Sequence, residues 1–301
     1  MRRNRITWKT GLTCSAMLAG LSLAASQAAL AQTLYGATST RNGISDAGVL
    51  VILNPSTGAV LSTVGSLLDA SSQHYSLTGL AFDPITGILY GSTANNSPTA
   101  ARSLVTVNPL TAQVTLIGPV GGGGTLSDIS FNSAGQLFGW SEPSSNDLVS
   151  VNLATGAATV VGPSGLNTAG SGLAFNASDT LYFTGTGDGG FLHTIDPSTG
   201  APTTVAALSG GIFGGNINAL TFDASGTLFG SDNSLGGFGG THLISINTTT
   251  GVITDRGPSI NRLDALAFAP STPAPEPASA ALLLTGALPL LAMAVRKRRQ
   301  R

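Results

Sequence analysis

The sequence predicts an all-β fold, a five-bladed β-propeller over residues 32–272, from three observations. A five-residue pattern that ends in phenylalanine occurs five times, and its phenylalanines are 49, 44, 47 and 46 residues apart. A second motif, Asn or Asp followed by a turn, lies between these copies. The two ends of the region hold complementary halves of one repeat. The phenylalanine segments are Thr78–Phe82, Ser127–Phe131, Ser171–Phe175, Asn218–Phe222 and Asp264–Phe268.

Each repeat has the pattern of four short antiparallel strands. Four of the phenylalanine segments are followed by a turn and a second apolar run, for example Leu89-Tyr90-Gly91 after Phe82. The turn motif, for example Asn54-Pro55-Ser56-Thr57-Gly58, then joins a third strand to a fourth. Asn caps such a turn with its side chain, Pro fixes φ and Gly accepts positive φ, so these residues are turn formers. Four strands in about 47 residues, without helical periodicity, are typical of a propeller blade.

The ends of the region predict how the ring closes. Leu34-Tyr35-Gly36 resembles a second strand that lacks its first, and Leu266-Ala267-Phe268 resembles a first strand that lacks its second. One blade is therefore expected to contain both ends of the chain, which gives five blades. A β-helix or an open array is the alternative, but neither needs complementary half-repeats. The small residues before the phenylalanines are expected at the crowded central axis, and the phenylalanines are expected to pack between blades.

Charge and cysteine content exclude several classes of function. No lysine lies between Lys9 and Lys297, and residues 32–277 hold four arginines against fourteen carboxylates, a net charge of −10. This charge argues against nucleic acid and anionic membrane surfaces as partners. The only cysteine is Cys14, inside an N-terminal apolar run. Once that run is removed, no disulfide, thiolate nucleophile or zinc–thiolate site is available.

Residues 1–31 have the order of a secretory signal peptide. Arg2, Arg3, Arg5 and Lys9 precede an apolar run to about residue 25, and Ala29 and Ala31 supply the small residues that signal peptidase accepts. The sequence therefore predicts export, with Gln32 as the first residue of the mature chain.

Residues 273–301 have the order of a second targeting signal. Pro275-Glu276-Pro277 is followed by an apolar segment, 278–295, which as a helix would span about 27 Å, and then by five basic residues. This order resembles the PEP-CTERM sorting signal. The resemblance implies recognition by an exosortase-type processing enzyme, transient anchoring in the inner membrane, and delivery to the surface or extracellular matrix of a Gram-negative bacterium. A permanent tail anchor is the alternative.

A binding surface is expected on the face with the long loops. In a propeller, the joins from strand two to three and from blade to blade share one face, and here they are the longer, irregular ones; function commonly lies in such loops. Thr78, Ser127, Asp128, Ser171, Asn218 and Asp264 begin the innermost strands and are expected to ring the channel mouth, with Tyr75, Trp140 and Glu142 among the loop residues around it. Aromatic platforms mixed with amides and carboxylates favour carbohydrate. The ligand-binding candidates are Thr78, Asp128, Ser171, Asn218, Asp264, Trp140 and Tyr75.

The predicted function is that of a non-enzymatic surface or matrix module that binds exopolysaccharide or a protein partner. The alternative is a secreted carbohydrate-active enzyme that uses Asp128 and Asp264, because glycosidases need two facing carboxylates. No cofactor and no metal site are predicted. His193 and His242 have no further ligand spacing and no obvious carboxylate partner, and Asp188 and Asp232 match no calcium loop closely. The glycine run 121–124 lacks the lysine and helix of a phosphate loop.

Overall fold

The computed structural model describes residues 32–39, 48–142, 145–188, 190–210, 216–233 and 240–270, which belong to one compact unit. Twenty strands in these ranges form five four-stranded antiparallel sheets, so the predicted five-bladed, all-β propeller is confirmed. The predicted signal peptide and sorting tail lie outside the described residues. Among the described residues, no helix is long and apolar enough to cross a membrane.

The strands are short, as the repeat predicts. In chain order they are β1 (Leu34–Thr38), β2 (Val49–Leu53), β3 (Val60–Ser66), β4 (Leu77–Phe82), β5 (Leu89–Thr93), β6 (Ser103–Val107), β7 (Val114–Pro119), β8 (Thr125–Phe131), β9 (Leu137–Glu142), β10 (Asp147–Val151), β11 (Ala158–Gly162), β12 (Ala169–Phe175), β13 (Leu181–Thr186), β14 (Phe191–Ile195), β15 (Pro202–Ala207), β16 (Ile217–Phe222), β17 (Leu228–Asp232), β18 (His242–Ile246), β19 (Ile253–Pro258) and β20 (Leu263–Phe268).

Blade 1 joins the two ends of the domain. Its strand order from the axis outward is β20-β1-β2-β3, while blades 2 to 5 use four consecutive strands each. Leu34 pairs with Phe268 and Gly36 with Leu266 in an antiparallel register. The backbone nitrogen of Ala269 donates to the carbonyl of Thr33 at 2.9 Å, which extends the pairing beyond the strands. Closure by the two ends, predicted from the half-repeats, is therefore confirmed.

Five equivalent aromatic pairs fill the interfaces between blades. In each pair a ring from the second strand of one blade contacts the phenylalanine that ends the innermost strand of the next, with centroids 5.3 to 5.7 Å apart. Tilted and edge-on pairs at this distance contribute beyond the area they bury. The phenylalanine spacing in the sequence therefore reflects blade-to-blade packing. The pairs are Tyr35–Phe82, Tyr90–Phe131, Phe138–Phe175, Tyr182–Phe222 and Phe229–Phe268.

The outer turns also hold blades together. A Cβ on Gly118, in the outermost strand of blade 2, would lie 2.3 Å from the carbonyl oxygen of Thr155, in the Thr-Gly turn of blade 3. A Cβ on Gly156 would lie 2.3 Å from the carbonyl oxygen of Gly118. Gly162 meets the turn residue Thr199 of the following blade in the same way. The turn motif thus both reverses the chain and packs closely against the preceding blade.

Candidate binding site at the channel mouth

A pocket of about 200 Å³ opens where the five innermost strands begin. Every one of these strands carries a β-bulge at this level. A bulge leaves one residue without a partner on the neighbouring strand and re-aims its side chain. One residue of each bulge lines the pocket, so every blade contributes to the mouth in the same way. The bulge of β8 contains both Ser127 and Asp128, and only Ser127 lines the pocket. The lining consists of the bulged residues Thr78, Ser127, Gly170, Asn218 and Asp264, together with Asn95, Thr125 and Glu142.

Asp264 is the bulged residue of β20, and its carboxylate is held by three side chains. Oδ1 accepts hydrogen bonds from Nδ2 of Asn218 at 3.1 Å and from Nδ2 of Asn233 at 2.6 Å. Oδ2 accepts a bond from the hydroxyl of Ser39. Asn233 is itself oriented by the hydroxyl of Thr241, which donates to its Oδ1. The carboxylate therefore has a fixed direction at the mouth, set by blades 1 and 5.

Glu142 ends β9 and brings a second carboxyl group to the same pocket. Its side chain is only 8% exposed, and Oε2 accepts a bond from the backbone nitrogen of Gly170 at 2.8 Å. Oε1 accepts bonds from the hydroxyls of Ser171 and Thr168. Burial raises the pKa of Glu142, and the bonds from Ser171, Gly170 and Thr168 offset only part of that increase. Because hydroxyls both donate and accept, this environment accommodates a protonated carboxyl as well as an ionised one.

Asp128 does not line the pocket. Its side chain is wholly buried, with Oδ2 2.9 Å from the backbone nitrogens of both Leu173 and Leu220 and Oδ1 2.9 Å from that of Ile129. These three residues belong to the innermost strands of blades 4, 5 and 3. Burial raises the pKa of Asp128 well above its usual range, and the three backbone hydrogen bonds lower it by less. Asp128 therefore joins three blades across the axis, below the mouth.

A second cavity, of about 140 Å³, lies at the other end of the innermost strands. It is lined by the five phenylalanines and by the small residues that precede them, which confirms the prediction that small side chains surround the axis. Ser130 accepts a hydrogen bond from the backbone nitrogen of Phe175 at 2.9 Å, so these small residues also bridge blades. The small residues are Ala81, Ser130, Ala174, Thr221 and Ala267.

The structure brings together only part of the predicted mouth. Thr78, Asn218 and Asp264 line the pocket as expected, with Ser127. Ser171, predicted to be at the mouth, is buried, because the bulge of β12 falls one residue earlier, at Gly170. Gly170, Asn95 and Thr125 were not among the predicted residues. Glu142 was predicted only as a surrounding loop residue.

The two expected aromatic platforms are not at the surface. Trp140 is 0% exposed, its ring packs 4.0 Å from that of Phe183, and its Nε1 donates to Thr168 at 3.1 Å. Tyr75 is 2% exposed and its hydroxyl donates to Asp69 at 3.2 Å. Both rings are core residues with a bonded polar atom, so neither offers a face on which a sugar ring would stack.

The histidines do have carboxylate partners, so the prediction that they lack them is wrong. Nε2 of His193 lies 3.0 Å from Oδ2 of Asp188, and Nδ1 of His242 lies 3.0 Å from Oδ1 of Asp255. Both pairs lie in the outer half of a blade, away from the residues that line the mouth. Within the described ranges, no three His, Cys, Asp or Glu side chains converge as a metal site would require.

Comparison with known proteins identifies the architecture alone. No protein-family profile and no curated protein match the sequence. A chain of the nidogen/laminin complex superposes with a TM-score of 0.51 at 15% identity, over 81% of this chain and all of that one. The glutaminyl cyclase of Myxococcus xanthus gives a TM-score of 0.42 at 16% identity, over 64% of this chain and 70% of that one. The superposition on the nidogen/laminin chain shows a likeness of fold alone, and the function is inferred from the site.

Proposed function

We propose that this protein is exported and serves at the cell surface or in the extracellular matrix as a non-catalytic β-propeller that binds an extracellular polysaccharide. The observation that carries the proposal is the mouth pocket, to which every blade contributes one bulged residue. The signal peptide pattern and the PEP-CTERM-like tail support export and sorting, with signal peptidase and an exosortase-type enzyme as processing partners.

The pocket limits what is bound. Small-molecule sites are commonly 300 to 1,000 Å³, so a pocket of about 200 Å³ is small among them. Among the described residues, its side chains are hydroxyls, amides and carboxylates, with neither a basic group nor an aromatic ring. Such a site suits the hydroxyls of a single sugar, such as a chain end or a branch, and a long stretch of polymer would contact the surrounding loops.

A polysaccharide binding screen tests the proposal. The processed protein would be compared with Ser127→Gln, which fills the pocket, and with Thr249→Gln, which places the same side chain in an exposed turn of blade 5. We expect binding to a neutral polysaccharide, since the domain is acidic and two carboxyl groups line the pocket, and we expect Ser127→Gln to abolish this binding and Thr249→Gln to leave it intact. Binding that survives Ser127→Gln would place the ligand elsewhere. Capture of a surface protein without any glycan would favour the protein-partner alternative.

A second candidate, a secreted carbohydrate-active enzyme, is favoured by one observation. Glu142 and Asp264 line the same pocket, each held by three donors, but Glu142 is buried and Asp264 is only half-buried. Two carboxyl groups in contrasting surroundings are the arrangement that general acid–base chemistry uses. This pair replaces the predicted Asp128 and Asp264, because Asp128 is sealed from the pocket.

Product analysis separates the two functions. Each polysaccharide that binds would be incubated with the protein and examined for shortened products. Turnover that disappears in Glu142→Gln while binding remains would support the enzyme. Binding without any product, in the protein and in Glu142→Gln alike, would support the non-catalytic module.

A further inference from the structure

Three distant parts of the chain meet at Gln32. The Oε1 of this residue accepts a hydrogen bond from the backbone nitrogen of Ala224 at 2.6 Å, in the first turn of blade 5. Its Nε2 donates to the carbonyl of Ala269 at 2.9 Å, just after β20. The next residue, Thr33, accepts a bond from the nitrogen of Ala269. Both polar atoms of the Gln32 amide therefore hold the seam where the ring closes.

Gln32 is also the residue that the predicted signal cleavage would leave at the N-terminus. A free N-terminal glutamine undergoes a general cyclisation that needs no co-reactant. The α-nitrogen attacks Cδ, the new N–Cδ bond forms as the Cδ–Nε2 bond breaks, and Nε2 leaves as ammonia with a proton from the α-amine. The product is pyroglutamate, which has neither the primary amide nor the charged amine.

Cyclisation and the observed contacts exclude each other. To reach its own α-nitrogen, Cδ of Gln32 must fold back over the main chain of the same residue. In the structure the amide instead extends to Ala224 and Ala269, which are 192 and 237 positions away in the chain. Loss of Nε2 as ammonia would remove the donor to Ala269. The ring closure thus holds Gln32 in a conformation that cannot react.

We infer that Gln32 is a latch on the ring seam and a conditional modification site, which stays a glutamine while the ring is closed and cyclises to pyroglutamate when the seam opens. The inference rests on the export step of the proposed function, because only cleavage after Ala31 frees the α-amine. Once formed, pyroglutamate has lost the Nε2 that donates to Ala269, so each opening of the seam removes that contact irreversibly.

The test uses the full chain, expressed with its own leader in an exporting Gram-negative host. The processed protein would be incubated at about pH 8, where a good part of an α-amine with a pKa near 7.7–8.0 is uncharged. Mass spectrometry of the N-terminal peptide would follow the loss of one ammonia over time, in buffer and in denaturant. We expect cyclisation roughly tenfold or more slower in the folded protein, since two hydrogen bonds must break first.

A matched pair of variants isolates the latch. Ala224→Pro removes the N–H that donates to Oε1, at the second residue of the five-residue turn between β16 and β17. Ala177→Pro makes the same change in blade 4, far from Gln32. We expect Ala224→Pro to cyclise severalfold faster than the parent when folded, and Ala177→Pro to match the parent.

Three results would overturn the inference. Equal cyclisation rates in folded and denatured protein would show that the fold does not protect Gln32, and this comparison needs no variant. Equal cyclisation rates in folded Ala224→Pro and Ala177→Pro would show that the contact with Ala224 does not restrain Gln32. An N-terminus other than Gln32 would remove the modification site, and because the mass spectrum identifies the first residue directly, this failure of the export step is distinguished from a failure of the latch.

Discussion

The carboxylate of Asp128 lies 2.9 Å from the backbone nitrogen of Leu220, which is 92 residues later in the chain and two blades away. Asp128 also accepts bonds from Leu173 and Ile129, and its side chain is wholly buried. The equivalent position in the other blades is Gly79, Gly172, Ala219 or Ala265. Four blades thus place at most a methyl group at this level, and only Asp128 extends a side chain to the neighbouring strands.

Asp128→Ala is expected to lower the free energy of unfolding by about 3 kcal/mol or more. It leaves three buried N–H groups without an acceptor, at about 1–3 kcal/mol each, and this loss is partly offset because the cost of burying the carboxylate is also removed. Asp128→Asn is expected to cost less, since its Oδ1 replaces the oxygen that faces Leu173 and Leu220 while its Nδ2 faces the N–H of Ile129. Urea denaturation measures both. Asp196→Ala, in an exposed turn, is the control. An equal loss of stability in all three variants would contradict the role of Asp128 in joining three blades.

The raised pKa of Glu142 predicts how its contribution to the free energy of unfolding changes with pH. Its folded-state pKa is raised above the ordinary 4.5, so its contribution to stability is fully present below that value and is lost as pH rises through the folded-state pKa. Glu142→Gln should abolish this loss, because glutamine can accept from Gly170 and donate to Ser171. The difference in free energy of unfolding between the variant and the parent should therefore increase from pH 4 towards neutrality.

Asp196 provides the control with the opposite sign. The hydroxyl and backbone N–H of Ser198 lower the pKa of Asp196, so its contribution is present above its unfolded pKa and is lost in acid. Denaturant titrations of Glu142→Gln and Asp196→Asn at several pH values would show the two trends. A Glu142→Gln curve parallel to that of the parent at every pH would refute the assignment.

Phe222→Ala is expected to cost about 3–5 kcal/mol, because it removes a large ring from a blade interface and its contact with Tyr182. Leu110→Ala changes a side chain that is 81% exposed and should shift stability by no more than about 0.5 kcal/mol. Thermal unfolding of the two variants tests the role of the aromatic pairs. A loss below about 1 kcal/mol for Phe222→Ala would mean that these contacts do not hold the blades together.

Gly156→Ala and Gly226→Ala separate close packing from backbone strain. Both glycines have positive φ, +79° and +83°, so alanine is strained to a similar degree at either position. Only at Gly156 would the new Cβ meet another blade, 2.3 Å from the carbonyl of Gly118, while nothing lies within 4 Å at Gly226. Gly156→Ala should therefore lower the unfolding midpoint clearly more. Equal effects would show that the outer turns are not tightly packed against neighbouring blades.

The sequence predicted the architecture because the phenylalanine repeat records contacts that recur in every blade. It did not predict which polar side chains reach the mouth. A bulge displaces one residue and turns the following ones to the other side of the strand. The bulge of β12 lies one residue earlier than its counterparts, so Gly170 and not Ser171 lines the pocket. Asp128 could have been identified, since it is the only charged member of a column otherwise formed by glycine and alanine three residues before each phenylalanine.

The prediction of aromatic platforms at the surface was wrong for a different reason. Trp140 and Tyr75 were assigned to the surface from their position beside loops, and composition alone does not tell a loop residue that faces solvent from one that folds under it. Trp140 packs on Phe183, and its indole N–H donates a hydrogen bond to the hydroxyl of Thr168. That hydroxyl also donates to Glu142, so the tryptophan supports the pocket from beneath.

The shared blade also sets an order on folding. Blades 2 to 5 consist of consecutive strands and form from local contacts, whereas the pairing of Leu34 with Phe268 joins residues from opposite ends of the domain. Contacts between such distant residues slow folding, because a long loop must close before they are made. A chain synthesised in the N-to-C direction therefore cannot complete its ring until β20 has been made. Loss of β20 would expose β1 as an open sheet edge, so the last strand of the domain also protects it from edge-to-edge aggregation.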